Sequence, residues 1–293
     1  MLLKADQWTD YTCLDAGGGE KLEQWNGIIL RRPDPQAIWP ADASNRMWKN
    51  ADAVYHRSSS GGGEWEYRKK LPASWTVTYH GLTFKVSPTG FKHTGLFPEQ
   101  AVNWDWMSSL IRTHRDEDLR ILNLFAYTGG ATMACAAAGA KEVVHVDAAK
   151  GMVAWAKENR DLSHLEDRTI RFIVDDCLKF VEREKRRGRT YHGILMDPPS
   201  YGRGPGGELW KLEKELPHLI SACLDIFDDN GLFFLINGYT TGFSSVVLED
   251  LMKVLFRNRK AGGTISAGEV ALPIAERDLY LPCGIYGRWE RND

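Results

Sequence analysis

The chain has no excess of charge of either sign: 37 lysines and arginines stand against 39 aspartates and glutamates, a formal net charge of −2. That removes the global positive field of many nucleic-acid binders and leaves only local basic patches open. Long hydrophobic runs are missing too. The longest, such as Gly231 to Ile236, fall far short of a bilayer span. Residues 1–30 carry no basic, apolar and small-residue leader, so a cytoplasmic protein with no membrane partner is expected. Cysteine is scarce and scattered: Cys13, Cys135, Cys177, Cys223 and Cys283 form no CxxC pair and no Cys/His set with metal-ligand spacing. They read as reduced thiols, with no disulfide, no structural zinc and no other metal. With 43% apolar and 26% charged residues over 293 positions, disordered, collagen-like and coiled-coil classes are excluded. The length fits two domains, or one large α/β domain with an extension.

What is present divides along the chain. Six of the eleven tryptophans (Trp8, Trp25, Trp39, Trp48, Trp65 and Trp75) precede residue 80. Gly, Pro and Ser are frequent there, and the run from Ser58 to Gly63 reads as a surface loop. Trp75–Tyr79 and Leu82–Val86 alternate as strands do and are joined at His80-Gly81, which predicts a tight hairpin. Residues 1–88 are therefore expected to form a small β-rich domain. Its tryptophans would fill a core or packing surface, with a base-stacking platform as the alternative.

Over residues 89–293 the pattern changes to alternating strand and helix. Strands are expected at Arg120–Phe125, Glu142–Asp147, Ile170–Val174, Tyr191–Asp197 and Gly231–Ile236, then at Thr264–Val270 and Leu279–Arg288. Helices fall between them, the first an Ala-rich one from Thr128 to Ala138 closed by Gly139. Repeated βα units call for a largely parallel, Rossmann-like sheet with helices on both faces. Ligands of such sheets sit at the carboxyl ends of the strands, near the switch in strand order.

Chemistry-bearing residues cluster at those ends. The first strand runs into Ala126-Tyr127-Thr128-Gly129-Gly130, where glycine lets a ligand approach the backbone. Asp147 ends the second strand, eighteen residues after Gly129. A carboxylate there can take both hydroxyls of a ribose, or simply cap the following helix. The turn lacks the G-x-G-x-x-G spacing that seats a pyrophosphate on a helix N-terminus, which favours S-adenosylmethionine over a dinucleotide. Asp175 and Asp176 follow the third strand, placed either to accept from an adenine amino group or to cap a helix. The fourth ends in Asp197-Pro198-Pro199-Ser200-Tyr201. Two prolines fix their own φ angles and stiffen the loop, so the acid can accept from an amino group while Tyr201 stacks on a planar base.

Taken in order and spacing, Leu122–Gly129, Val146-Asp147, Asp175-Asp176 and Asp197–Tyr201 resemble the class I S-adenosylmethionine-dependent methyltransferases. More narrowly, they resemble the bacterial branch that includes large-subunit rRNA base methyltransferases of the cytosine-C5 and guanine-N7 kinds. Phe91–Gln100 is similar to the Lys-x-Thr-Gly-x-Phe-x-x-Gln segment of that branch, which helps close over the cofactor. The resemblance covers about residues 85–290 and implies a seven-stranded sheet. It also implies that Phe125, Tyr127 and Gly129 line the cofactor's amino-acid end, with Gln100 and Asn123 contributing. Asp147 would hold the ribose and Asp176 the adenine. Asp197 would border both cofactor and acceptor, with Pro198, Pro199 and Tyr201 shaping the acceptor side.

Two departures matter. Asn123 stands where the family often has an acid, and an amide can still accept a hydrogen bond. Cytosine-C5 enzymes need a thiolate to activate the ring, and in the related family it follows the fifth strand. This chain has Ile236-Asn237-Gly238-Tyr239 there. A nitrogen acceptor, attacking the methyl in line without a covalent intermediate, fits better. Two basic clusters, Arg183–Arg189 and Lys253, Arg257, Arg259 and Lys260, could meet RNA or be solvated helix ends. The resemblance implies methylation of a base in ribosomal RNA. The alternatives are a small-molecule or protein acceptor, or a catalytically silent RNA-binding factor.

Overall fold

A computed structural model describes residues 1–58, 62–90, 92–114, 118–203, 209–259, 262–275 and 277–292. In chain order it begins with strands β1 (Leu2–Lys4), β2 (Tyr11–Gly17), β3 (Glu20–Trp25), β4 (Ile28–Pro33), β5 (Ala53–Arg57), β6 (Gly63–Tyr67), β7 (Trp75–Tyr79) and β8 (Leu82–Val86). Helix α1 (Ala101–Thr113) leads into β9 (Arg120–Leu124), α2 (Gly130–Ala137), β10 (Glu142–Asp147), α3 (Lys150–Leu162), β11 (Ile170–Val174) and α4 (Cys177–Arg186). Then come β12 (Gly193–Met196), β13 (Tyr201–Arg203), β14 (Leu209–Lys211), α5 (Leu212–Leu224) and β15 (Phe233–Gly238). The chain ends with α6 (Ser245–Phe256), β16 (Gly263–Pro273) and β17 (Tyr280–Arg291).

Two compact units emerge. One comprises Met1–Leu3, Asn103–Glu269 and Gly284–Asp293, the other Lys4–Val102 with Val270–Cys283. The division differs from one at residue 88, because a late segment of chain joins the early strands. Ala5 N donates to Ala271 O at 3.0 Å, Ala275 N to Cys13 O at 2.8 Å, and Arg277 pairs with the buried Asp15 at 2.7 Å. No local pattern in residues 270–283 announces this.

Within that smaller unit, β2 to β6 form a five-stranded sheet in sequence order, antiparallel except between β4 and β5. The β7–β8 hairpin turns at His80 and Gly81, both with positive φ, as a two-residue turn of this hand requires. The tryptophans are structural here. Trp25 is fully buried beside the Tyr11 ring, 4.5 Å away. The indoles of Trp8, Trp39, Trp48, Trp65 and Trp75 each donate to a carbonyl or carboxylate of the same unit. Residues 59–61 of the Ser58–Gly63 loop lie outside the described residues.

The larger sheet runs β1-β16-β17-β15-β12-β9-β10-β11. The seven expected strands are all there, and the three-residue β1 adds an eighth at the edge. β11, β10, β9, β12 and β15 are parallel, and β17 returns antiparallel to β15. Strand order reverses between β9 and β12, so the crevice of the fold lies beyond the carboxyl ends of those two strands. β12 and β15 are buried along their whole length and β9 along most of it, as parallel strands covered on both faces must be. Leu122, Leu124, Val144, Ile194, Phe234 and Ile236 pack on one face with Phe180 of α4, Leu219 and Ile220 of α5, and Met252 of α6. The alternate residues, including Ile121, Val143, Leu195 and Phe233, are buried on the other. Each such side chain contributes about 1.5–3 kcal/mol.

Gly193 shows how tight this packing is. It sits opposite both Ile121 and Phe233 in register, and a Cβ there would lie 2.5 Å from Phe233 Cζ and 2.7 Å from Ile121 Cδ1. Gly193→Ala is expected to lower unfolding stability by about 1–3 kcal/mol, and Phe233→Leu in the same chain should recover part of the loss. Denaturant unfolding of both variants checks this. A neutral Gly193→Ala would contradict the packing.

Candidate functional site

The turn after β9 is built against backbone preference. Phe125 (φ 53°) and Tyr127 (φ 50°) are left-handed non-glycine residues, alternating with Gly129 at φ 86°. Each such residue costs of order 1–3 kcal/mol and persists only where its surroundings over-determine it. Here they do. Ala126 N donates to Val146 O at 3.0 Å, Tyr127 N to Asp147 Oδ2 at 2.8 Å, and Gly129 N to Ala126 O at 3.0 Å. Asn159 of α3, fully buried, holds Thr128 O at 2.8 Å. The Phe125 N–H points at Cys177 Sγ, 3.3 Å away. Gly130 is required for a different reason: a Cβ would come 2.5 Å from the Trp104 indole of α1.

Asp147 ends β10 half-buried, with Oδ2 on Tyr127 N and Oδ1 on Ala149 N, both at 2.8 Å. Burial pushes its carboxyl above the usual range while those two N–H groups pull it back. A carboxylate offers about four lone-pair sites, so two stay open for further donors. The capping role and a ligand-holding role are therefore compatible in one side chain. Val174 of β11, 51% exposed, pairs in register with Asp147. Beyond it Asp176 caps α4, accepting from Lys179 N at 2.9 Å, and Asp175 pairs with Arg183.

Asn123 is not in the crevice. It is buried beneath the turn, its Nδ2 donating to Thr132 Oγ1 at 2.9 Å, and that hydroxyl also meets His145 Nδ1 at 2.9 Å. Burial drives the His145 pKa down to about 3, a smaller upward pull coming from the Tyr127 backbone. His145 escaped the sequence reading because a lone histidine inside an apolar strand carries no signal of its own. Gln100 belongs to the smaller unit, buried at the end of the 3-10 turn Pro98–Gln100.

The loop after β12 begins where strand order reverses: Asp197 N donates to Leu124 O at 3.4 Å, from β12's end to β9. Pro198 is buried and Pro199 exposed. Ser200 receives the Thr240 hydroxyl at 2.6 Å and, at its carbonyl, Leu212 N at 3.2 Å. Tyr201, 58% exposed, opens a short antiparallel ribbon in which it faces Lys211 and Gly202 faces Trp210. The ribbon replaces the simple Gly/Pro loop expected there; residues 204–208 lie outside the described residues. Trp210 was missed by sequence reasoning. Its indole donates to Pro199 O at 2.6 Å, and its ring lies 5.4 Å from that of Phe125, tying the loop after β12 to the turn after β9. A tryptophan just past a glycine-rich stretch was the available signal.

The structure thus gathers Phe125, Tyr127, Gly129, Asp147, Asp176, Asp197 and the prolines at neighbouring strand ends. The cysteines are all free, and burial raises their thiols, Cys135 to about 12. Among the described residues no group of three or more His, Cys, Asp or Glu is placed to hold a metal, and no helix is long and apolar enough to cross a membrane. The basic clusters are largely spent in pairs. Lys185 meets Asp225 at 2.7 Å, Arg187 Glu184 at 2.9 Å, Arg189 Glu142 at 2.5 Å and Lys253 Glu249 at 2.5 Å. Arg259 lies over the Phe227 ring, 4.0 Å from its centroid, and Lys260 is outside the described residues.

The buried His145 gives a pH prediction. Its folded pKa of about 3 lies below the ordinary 6.5, so the unfolded chain binds the extra proton between those values. Its contribution is present above pH 6.5 and is lost as pH falls toward 3. His145→Gln should flatten the fall in unfolding free energy between pH 6.5 and about 4.5, where few carboxylates titrate. An unchanged slope in denaturant titrations would contradict the assignment.

Comparison with known proteins agrees with this geometry. A family model for S-adenosylmethionine-dependent methyltransferases matches residues 31–222. A methyltransferase of Agrobacterium tumefaciens, solved by crystallography and described as SAM-dependent, is 38% identical and covers 100% of this chain and 94% of its own at a TM-score of 0.94. A protein from Streptococcus mutans, 18% identical with 97% and 76% of the two chains covered and a TM-score of 0.77, shares the fold. The ribosomal RNA large subunit methyltransferase K/L of Shewanella sp. strain ANA-3 is 30% identical over 157 residues, 53% of this chain and 21% of that protein. The match with the Shewanella oneidensis protein of that name is 30% over 156 residues with the same coverage. The aligned part is thus about a fifth of the length of these curated relatives. With most of its length matched by the family model and its whole length by a solved relative, the chain belongs to the S-adenosylmethionine-dependent methyltransferases, enzymes that use that cofactor.

Proposed function

We propose that this methyltransferase acts on a base of ribosomal RNA, at a ring or exocyclic nitrogen in preference to carbon. The observation that carries the reading is the acid-proline-proline loop at the strand switch. Asp197 is anchored to the end of β9, and Tyr201, four residues further along the loop, stands exposed. A flat heterocycle suits an exposed ring next to a fixed carboxylate. The printed names of the curated relatives support RNA as the acceptor's source. The end of β15 and the residues that follow it, Asn237 to Gly242, offer no thiol, which supports nitrogen over cytosine C5.

The residues present fit the cofactor: the turn of Phe125, Tyr127 and Gly129, each at positive φ, stands at the switch in strand order, and Asp147 beside it keeps acceptor capacity. Phe125, Tyr127 and Gly129 would hold its amino-acid end, Asp147 its ribose and Asp176 its adenine. Asn123 would act from beneath, through Thr132. When bound, the cofactor supplies an electrophilic methyl group on a sulfonium. Asp197 would orient the attacking nitrogen by accepting from its N–H, and would take up the proton as the new N–C bond forms and the C–S bond breaks. Pro198 and Pro199 keep that carboxylate still, so the protein contributes chiefly by positioning.

The test is transfer of labelled methyl to RNA from cells lacking the protein, with protein and small-molecule extracts in parallel. Label should enter one rRNA species, and Asp197→Ala should cut transfer by about 100-fold or more while cofactor binding persists. RNA substituted with 5-fluorocytosine should form no covalent adduct. Label confined to the other extracts would sink the RNA reading, and an adduct would reverse the choice of nitrogen.

A further inference from the structure

A chain of three buried polar side chains ends at Asn237, one residue past the last register pair of β12 and β15. Arg288 of β17 is 9% exposed, and burial lowers its pKa to about 10. A guanidinium carries donors only. Its Nε and Nη2 reach Asn103 Oδ1 of α1, at 3.1 and 2.6 Å. That fixes which end of the Asn103 amide faces the arginine, so Nδ2 faces the other way, toward Asn237 Oδ1 at 3.0 Å. Asn237 in turn has its oxygen committed and its Nδ2 directed away from Asn103. The arginine thus sets the orientation of both amides, which are otherwise free to flip.

Asn237 is 5% exposed. Its Nδ2 has no hydrogen-bond partner among the described residues, yet it is not one of the fully sealed, unpartnered atoms. An amide N–H that stays accessible in a side chain otherwise buried to this degree is open to an acceptor from outside the chain. Its place in the sheet says what. Ile236 of β15 pairs in register with Met196 of β12, so the next residues on the two parallel strands are Asn237 and Asp197. Neighbouring strands lie about 4.8 Å apart. A directed donor and a carboxylate acceptor therefore stand side by side at the carboxyl ends where the crevice opens.

We propose that Asn237 binds the methyl acceptor directly, its Nδ2 donating to a carbonyl oxygen or unprotonated ring nitrogen next to the N–H that Asp197 accepts. The substrate is then a planar heterocycle presenting an acceptor and a donor side by side, as an amide or amidine edge does. Asn103 and Arg288 are positioning residues, acting through Asn237. The inference rests on the proposed placing of the acceptor against Asp197, and it does not depend on whether that heterocycle is part of RNA.

Steady-state methyl transfer to whichever extract the native enzyme labels, measured with calorimetric titration of S-adenosylmethionine, tests it. Asn237→Ala and Asn237→Asp should lower kcat/KM for the acceptor by about tenfold or more, with cofactor affinity within about twofold. Arg288→Met should share the defect and Arg288→Lys, which keeps a cationic donor, should recover part of it. Thermal unfolding of each variant shows that it folds. Transfer unaffected by Asn237→Ala overturns the proposal alone, as does a matching loss of cofactor affinity. Label in protein or small molecules instead of RNA overturns the RNA reading and leaves this one in force. No transfer by the native enzyme to any extract overturns both.

Discussion

One carboxylate holds two chain reversals at once. Asp147 receives Tyr127 N from the turn after β9 and Ala149 N from the start of α3. Without it, a turn containing two left-handed non-glycine residues has lost a main restraint. Hydrogen bonds to a charged group are worth about 1.5–3 kcal/mol, comparable with the cost of the backbone geometry they stabilise. The strained turn and the acid that ends the neighbouring strand form one device, and that acid keeps lone pairs for further donors.

Beneath and beside this device the packing leaves little slack. Asn123, Thr132 and His145 form a buried polar link between β9, α2 and β10, and a neutral histidine there avoids placing a charge in the core. Trp210 reaches from the ribbon to the Phe125 ring and to Pro199. Asn103 and Arg288 fix the amide of Asn237 on the far side of Asp197. Phe125 and Asn237, both proposed to touch a ligand, are therefore backed by residues that do not.

The sequence carried most of the βα rhythm, because strands buried on both faces are short apolar runs and their ends hold glycines, acids and prolines. The hairpin at His80-Gly81 was legible for a similar reason: turn chemistry is local. What escaped was non-local. β1 is three residues recruited to a sheet edge, with no pattern of its own. Residues 270–283 join the early strands through contacts such as Arg277 with Asp15. Trp210 and Phe125 are distant in sequence, as are Asn103, Asn237 and Arg288. Asn123 was read as facing a ligand because its position in the motif suggested it, whereas strand alternation turns it under the sheet toward Thr132. The basic clusters could be read in sequence as an RNA footprint or as solvated helix ends, and the structure pairs Arg183, Lys185, Arg187, Arg189 and Lys253 with nearby carboxylates.

Asp147 shapes the turn and is proposed also to hold the cofactor's ribose. The most direct measurement is the dissociation constant of S-adenosylhomocysteine and of its 2′-deoxy analogue, for the native protein and for Asp147→Ala. The native protein should prefer the hydroxylated ligand by about tenfold or more, and the preference should vanish in the variant. An equal preference in both proteins would show that Asp147 supports the turn alone and that the ribose is held elsewhere.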